Sequence, residues 1–329
     1  MTPSSLLFTT TVTTGTLVAL SSTNWLYLWM GMELNLLSFI PMIASSQKFQ
    51  ETEASVKYFI IQAIGSSLML TAGVMASSMP LSPNMNMLIN FIFLVSMMIK
   101  MGLAPCHQWL PHVMASMSWS MCLILSTWQK VSPLMMLSLI VPRNTPLLIA
   151  AIAALSALTG GLGGMNQAQL RTLLAYSSIG HMGWMLIALE MSTNMLMIYF
   201  SVYVIITSGL MFTMMFLNLI NTNFSSLMSS MTSAPFLILM LIMFSLGGLP
   251  PLLGFIPKWM VISFMATKKM FIILAALITG SLLNLFYYFS MTFNFILTTK
   301  NASMNIAHTP TMLIIMGSLC SVSAIIFYM

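Results

Sequence analysis

Aspartate is missing altogether. The 329 residues hold four acidic side chains, Glu33, Glu51, Glu53 and Glu190, against ten lysines and arginines, and charged residues make up only 4% of the chain. A soluble domain carries about 25%, so a water-soluble fold is excluded. Three cysteines, Cys106, Cys122 and Cys320, are too few for a disulfide framework and lack the spacing of zinc or iron–sulfur sites. They read as small apolar residues in packed helices. The glycines of "TGGLGGMNQAQL" at 159–170 do not make a G-x-G-x-x-G dinucleotide fingerprint; Gly160 and Gly164 read instead as points of close helix approach. Scattered basic residues without a stripe exclude a nucleic-acid surface. No lysine or arginine precedes the first apolar run, so neither a secretory signal nor a transit peptide is expected.

What fills the chain is apolar sequence, with 59% hydrophobic residues and a mean hydropathy of +0.98. The apolar runs approach twenty residues, the length of a helical membrane crossing, whereas a transmembrane barrel would alternate in segments of about ten. The expected fold class is an all-α polytopic membrane protein of about eleven transmembrane helices, forming a single domain over 1–329. Spans are expected near 3–21, 25–44, 54–79, 84–110, 113–141, 146–163, 172–190, 194–220, 235–266, 270–298 and 309–328. The most polar link, "SSQKFQETEASVK" at 45–57, reads as a solvated loop face. Trp25, Tyr27 and Trp29 at the start of the second span read as an interfacial aromatic belt. Basic residues divide four against three between the two sides, which leaves orientation undecided. The 38 methionines point to an organellar translation code.

Two stretches break the pattern. "MMIKMGLAPCHQWLP" (97–111) and "MFSLGGLPPLLGFIPKW" (243–259) each set glycines, prolines and one lysine inside an apolar run. Glycine costs about 1 kcal/mol and proline about 3 relative to alanine inside a helix. Interrupted helices at corresponding places in two halves mark repeat-built transporters, with the site at the interruptions. The breaks free backbone groups that only protein or water can satisfy, so they occur where a polar cavity exists.

Three charged residues, Glu33, Lys100 and Lys130, fall near the middle of expected spans, and a fourth, Lys258, follows the break in the ninth. Each costs about 2.5–3.5 kcal/mol at a helix centre on insertion scales. The bland reading has each lysine snorkelling to headgroups or paired permanently with Glu33. One carboxylate cannot neutralise three lysines, and snorkelling serves residues near helix ends. A hydrated path for protons is the better reading: burial opposes the charge of a lysine and a nearby carboxylate favours it, so a lysine between those influences loads and releases a proton. His107 and His181 are secondary relay candidates, since a neutral imidazole passes protons between water clusters.

The runs "TEASVKYF", "KMGLAPCHQWLP", "TWQKVSPL", "LAYSSIGHMGW" and "LGGLPPLLGFIPKW" together resemble the antiporter-like membrane-arm chains of mitochondrial NADH–ubiquinone oxidoreductase, respiratory complex I, and among them the chain 2 family. The motifs stand in the family's order over about residues 20–290. The resemblance implies an antiporter-like fold with two broken helices in pseudo-symmetric inverted repeats. It implies a proton-translocating subunit of the enzyme, driven by electron transfer elsewhere in the complex. Glu33 and Lys100 would be the family's Glu–Lys pair, Lys130 its central relay lysine and Lys258 the lysine of the second broken helix. The chain itself would bind no cofactor, with NADH, FMN, iron–sulfur clusters and ubiquinone used by other subunits. Implied partners are neighbouring antiporter-like and small core subunits, accessory subunits and phospholipid including cardiolipin, in the mitochondrial inner membrane. The chain departs from the family at Cys106, Gln108 and His112, where the family has Phe, Phe and Glu; no acid role is available at 112. A free-standing cation/proton antiporter and a non-pumping membrane scaffold are the alternatives.

Overall fold

In the computed structural model, residues 3–46, 48–78, 83–140, 146–216, 233–250 and 252–298 are described. Among them every regular element is helical. The chain divides into two compact units, Met1–Pro146 and Leu147–Met329.

The first unit contains α1 (Pro3–Ser21), α2 (Trp25–Ile43), α3 (Phe49–Ser78), α4 (Pro83–Met101), α5 (Trp109–Ser116), α6 (Trp119–Ser126) and α7 (Val131–Ile140). Two 3₁₀ turns, Ala44–Ser46 and Trp128–Lys130, punctuate it. Glycine sets how closely α1 meets α2: a Cβ on Gly31 would stand 2.5 Å from the Ala19 amide nitrogen, and one on Gly15 would stand 2.9 Å from that of Asn35. Backbones in such contact gain dispersion attraction, which drives helix association where lipid leaves little hydrophobic force. Trp25 lies over Gly73, and Trp29 donates its indole N–H to the Ser66 carbonyl at 3.2 Å. Both rings therefore pack onto α3, and of the three aromatics Tyr27 remains exposed.

The second unit contains α8, which begins at Pro146 and ends at Met165, then α9 (Leu170–Met191), α10 (Thr193–Phe216), α11 (Ser233–Gly247), α12 (Phe255–Thr267) and α13 (Phe271–Thr298). Helix α9 is its axis, buried from Thr172 to Ala188 except at Tyr176. Gly160 on α8 faces Gly180 and Tyr176 of α9, Gly183 faces Ala153 and Ser156, and Gly280 of α13 faces Ala157. The expected close approach at Gly160 and Gly164 is present, with Gly164 against the Tyr287 ring.

Among the described residues, six helices are long and apolar enough to cross a membrane: α2, α3, α8, α9, α10 and α13. The expected spans that contain the two Gly/Pro stretches do not run as single helices, and neither does 113–141, which the turn at Trp128–Lys130 divides. The link at 45–57 is shorter than expected, because α3 already starts at Phe49. Its acidic first turn favours the helix N-terminus, and Glu53 pairs with Lys57 at 2.6 Å along the helix surface. The expected span at 309–328 lies outside the described residues.

Candidate functional site

The two Gly/Pro stretches close their helices in the same way. At the end of α4, Gly102 has φ +71°, its N–H donates to the Ile99 carbonyl at 3.3 Å, and the Leu103 N–H donates to Met98 at 3.0 Å. At the end of α11, Gly248 has φ +82°, its N–H reaches Ser245 at 3.1 Å, and the Leu249 N–H reaches Phe244 at 3.3 Å. These are paired Schellman caps, which need glycine at the left-handed position. The helices that resume, α5 and α12, each carry proline as their third residue, Pro111 and Pro257. A proline there removes an N–H that has no intrahelical partner anyway. Each proline stands nine residues after its capping glycine, so the two stretches share one register.

A Schellman cap leaves the last carbonyls of its helix without backbone donors, and the two units satisfy them differently. In the second unit the Lys258 ammonium donates to Gly247 at 2.7 Å and to Leu246 at 3.4 Å. Gly248 makes room for it, since a Cβ there would lie 2.9 Å from the ammonium nitrogen. A cation at a helix C-terminus also meets the negative end of the macrodipole. In the first unit a neutral group does this work: Gln62 donates to the Lys100 carbonyl at 3.2 Å, while the Trp109 indole adds a second donor, at 3.1 Å, to the Ile99 carbonyl that Gly102 already meets. The Lys100 ammonium is left to face a cavity.

That cavity, about 20 Å³, is lined by Lys100, Lys130, Asn35, Tyr58, Gln62 and Gln129 among others. It has room for about one water molecule. Lys100 and Lys130 retain 8% and 3% of their exposure, and Lys258 in the other unit retains 5%, so none of the three snorkels out of the protein. Lys100 does not stand at a helix centre but in the last turn of α4, with its ammonium 3.6 Å from the Met32 sulfur, a weak acceptor. Lys130 ends the 3₁₀ turn between α6 and α7. Glu33, on α2, is half-buried and acts electrostatically on both Lys100 and Tyr58, without direct ion pairing.

In the second unit His181 is buried on α9, its Nδ1 3.1 Å from the Tyr199 hydroxyl and its ring centroid 5.3 Å from that of Tyr203. One turn further along α9, Trp184 lies under the Lys258 ammonium at 6.0 Å. His107 is in different surroundings: half-exposed, outside the cavity lining, with Nδ1 3.1 Å from the Pro105 carbonyl. His112 is exposed. The sequence reading passed over Asn35, Tyr58, Gln62 and Gln129. Their signal was uncharged polarity inside apolar spans, which hydropathy averages away.

The chain is 46% identical over 293 residues to NADH-ubiquinone oxidoreductase chain 2 of Lumbricus terrestris, a match covering 88% of this chain and 86% of that one. It belongs to the NADH-ubiquinone oxidoreductase chain 2 family. The Locusta migratoria member is 38% identical over 298 residues, with 90% of this chain and 86% of that one covered. Residues 22–284 match the wider membrane family described as NADH:quinone oxidoreductase/Mrp antiporter. The fold is similar to a chain of respiratory complex I from Thermus thermophilus, with a TM-score of 0.81, 23% identity, and coverage of 98% of this chain and 76% of that one. It is also similar to a chain of the Mrp complex from Dietzia, with a TM-score of 0.75, 17% identity, and coverage of 86% and 59%. The family resemblance carried by the sequence motifs is thus borne out, and the fold is the antiporter-like one.

Proposed function

We propose that the chain is a proton-translocating membrane-arm subunit of NADH:ubiquinone oxidoreductase in the mitochondrial inner membrane, with Glu33, Lys100, Lys130 and Lys258 carrying the proton. Its 46% identity to a chain 2 relative over 88% of its length supports the subunit. The observation that carries the mechanism is the cavity onto which Lys100 and Lys130 both open. Two buried lysine side chains beside one water-sized space, one an ammonium and the other a neutral amine, exchange a proton through that space, and the half-buried charge of Glu33 biases where it rests. In this reading α4 with α5, and α11 with α12, are each one interrupted crossing of a repeat pair, within about eleven crossings in all. Their shared register and matched Schellman caps support it. His181, one turn from Trp184, is a relay candidate toward Lys258, and His107 is a weaker one. NADH, flavin, iron–sulfur clusters and ubiquinone belong to other subunits, and the partners are membrane-arm chains, accessory subunits and phospholipid.

Replacing Lys100 with Met tests the reading. In assembled complex reconstituted in liposomes, NADH-driven proton pumping is expected to fall by about tenfold or more, while NADH oxidation by an artificial acceptor is unchanged. Full pumping by an assembled variant would make the chain a scaffold instead.

A further inference from the structure

Beyond its lysines, the cavity of the first unit is bordered by a chain of uncharged polar groups. The Tyr58 hydroxyl on α3 donates to Gln129 Oε1 at 3.4 Å, and Gln129 Nε2 donates to Asn35 Oδ1 on α2 at 2.9 Å. Tyr58 and Asn35 are buried, and all three residues line the cavity. Gln129 is the residue before Lys130 in the Trp128–Lys130 turn. We propose that Gln129, held between Tyr58 and Asn35, is a positioning residue that fixes the Lys130 turn so that both lysines open onto one cavity.

Pro133 has no N–H, so the Gln129 carbonyl receives no helical hydrogen bond from it, and the chain from Thr127 to Val131 tightens to 3₁₀ geometry. A single 3₁₀ turn has poorer hydrogen-bond geometry than an α-helix and does not fix the direction of its side chains alone. Neither α6, which ends at Ser126, nor α7, which starts at Val131, sets the rotation of Lys130 about the turn. The side chain of Gln129 does so, because its amide spends its oxygen on α3 and its nitrogen on α2. Tyr58 is itself held edge-on by Phe39 at 5.3 Å and tilted against Trp109 at 6.0 Å, so the anchor is rigid. Gln62, also on α3, meanwhile holds the Lys100 carbonyl at 3.2 Å. Helix α3 therefore positions both lysine-bearing segments, one through Gln62 and the other through Tyr58 and Gln129. A shift of the turn would carry Lys130 away from a space that admits only about one water, and a proton cannot pass between groups with no bridging molecule.

This inference rests on the proposed proton path, and the test separates the two. Asn35→Leu, Gln129→Leu and Tyr58→Phe are compared with Lys130→Met in assembled complex in liposomes, reading NADH-driven proton pumping against pH. Gln129→Leu and Asn35→Leu are each expected to lower pumping about fivefold, the worth of one hydrogen bond, and to displace its pH profile, with artificial-acceptor activity retained. The Gln129→Leu/Asn35→Leu double variant is expected to match the worse single, as for residues acting through one contact. Tyr58→Phe keeps the ring packing and removes only the hydroxyl, so it decides the matter if the other two fail to assemble; it is expected to lower pumping about twofold to fivefold. Wild-type pumping and pH profile in the assembled variants, or a double variant that loses the product of the singles, would overturn the positioning role. If Lys130→Met also pumps fully, the proton path itself is wrong; if only Lys130→Met is impaired, the path stands and the positioning role fails.

Discussion

On the proposed function, Lys258 would join stability to transport in one side chain. Its ammonium fills the two carbonyls, Leu246 and Gly247, that the Schellman cap of α11 leaves over, and Gly248 is needed both for its positive φ and for the space it leaves. Losing the donor leaves buried carbonyls unsatisfied, at about 1–3 kcal/mol. Lys258→Met is therefore expected to impair both heat stability and pumping of the assembled complex. Lys258→Gln keeps an amide donor near those carbonyls but holds no transferable proton. It should assemble with near-normal thermal unfolding and pump poorly. Equal destabilisation by both variants would mean that the charge, rather than the hydrogen bonds, closes the interruption.

At the scale of elements, the packing of the second unit depends on glycines that place one backbone against another. A Cβ on Gly160 would meet the Gly180 nitrogen at 2.6 Å and the Tyr176 carbonyl oxygen at 2.7 Å, whereas one on Gly209 would meet only a methyl of Ile242 at 3.9 Å. Backbone cannot step aside as a flexible side chain does. Gly160→Ala is expected to destabilise by about 1–3 kcal/mol, and Gly209→Ala, in mid-helix, to be neutral or to gain up to about 1 kcal/mol; thermal unfolding of the two side by side checks the contrast. The long apolar helices were legible because twenty apolar residues admit few alternatives in a membrane. The helix ends at the two Gly/Pro stretches were legible for the opposite reason, a composition no continuous helix accepts. The turn at Trp128–Lys130 was not anticipated, though Pro133 was its signal: one proline in a run otherwise rich in helix formers reads as a tolerated kink. The expected boundary between the spans 84–110 and 113–141 was misplaced. Pro111 stands in the first turn of α5, so the helix runs through 110–113, and the chain turns at Met117, in extended conformation between α5 and α6. The cavity lining was the least legible part, since nothing local brings Asn35, Tyr58 and Gln129 together; three segments far apart in sequence must pack first.

For the whole molecule the question is how a chain with lysines in two compact units does work against a membrane potential. Moving one elementary charge against 100 mV takes about 2.3 kcal/mol, and the sequence shows no nucleotide fingerprint and no cluster-binding cysteine spacing from which that energy would be drawn locally. The energy must then arrive through partner subunits, and what this chain contributes is a route. Lys100 and Lys130 lie in the first unit, Lys258 in the second. If the two units serve one route in series, blocking either stops the same protons. Lys100→Met, Lys258→Gln and the double variant, compared in assembled complex, then show equal residual pumping, the non-additivity of groups that act as a unit. If each unit passes protons independently, each single variant keeps the other's share and the double loses both. The first outcome is expected, because Glu33, on α2 of the first unit, is the one carboxylate of the proposed path, and a single switching charge suits a single route.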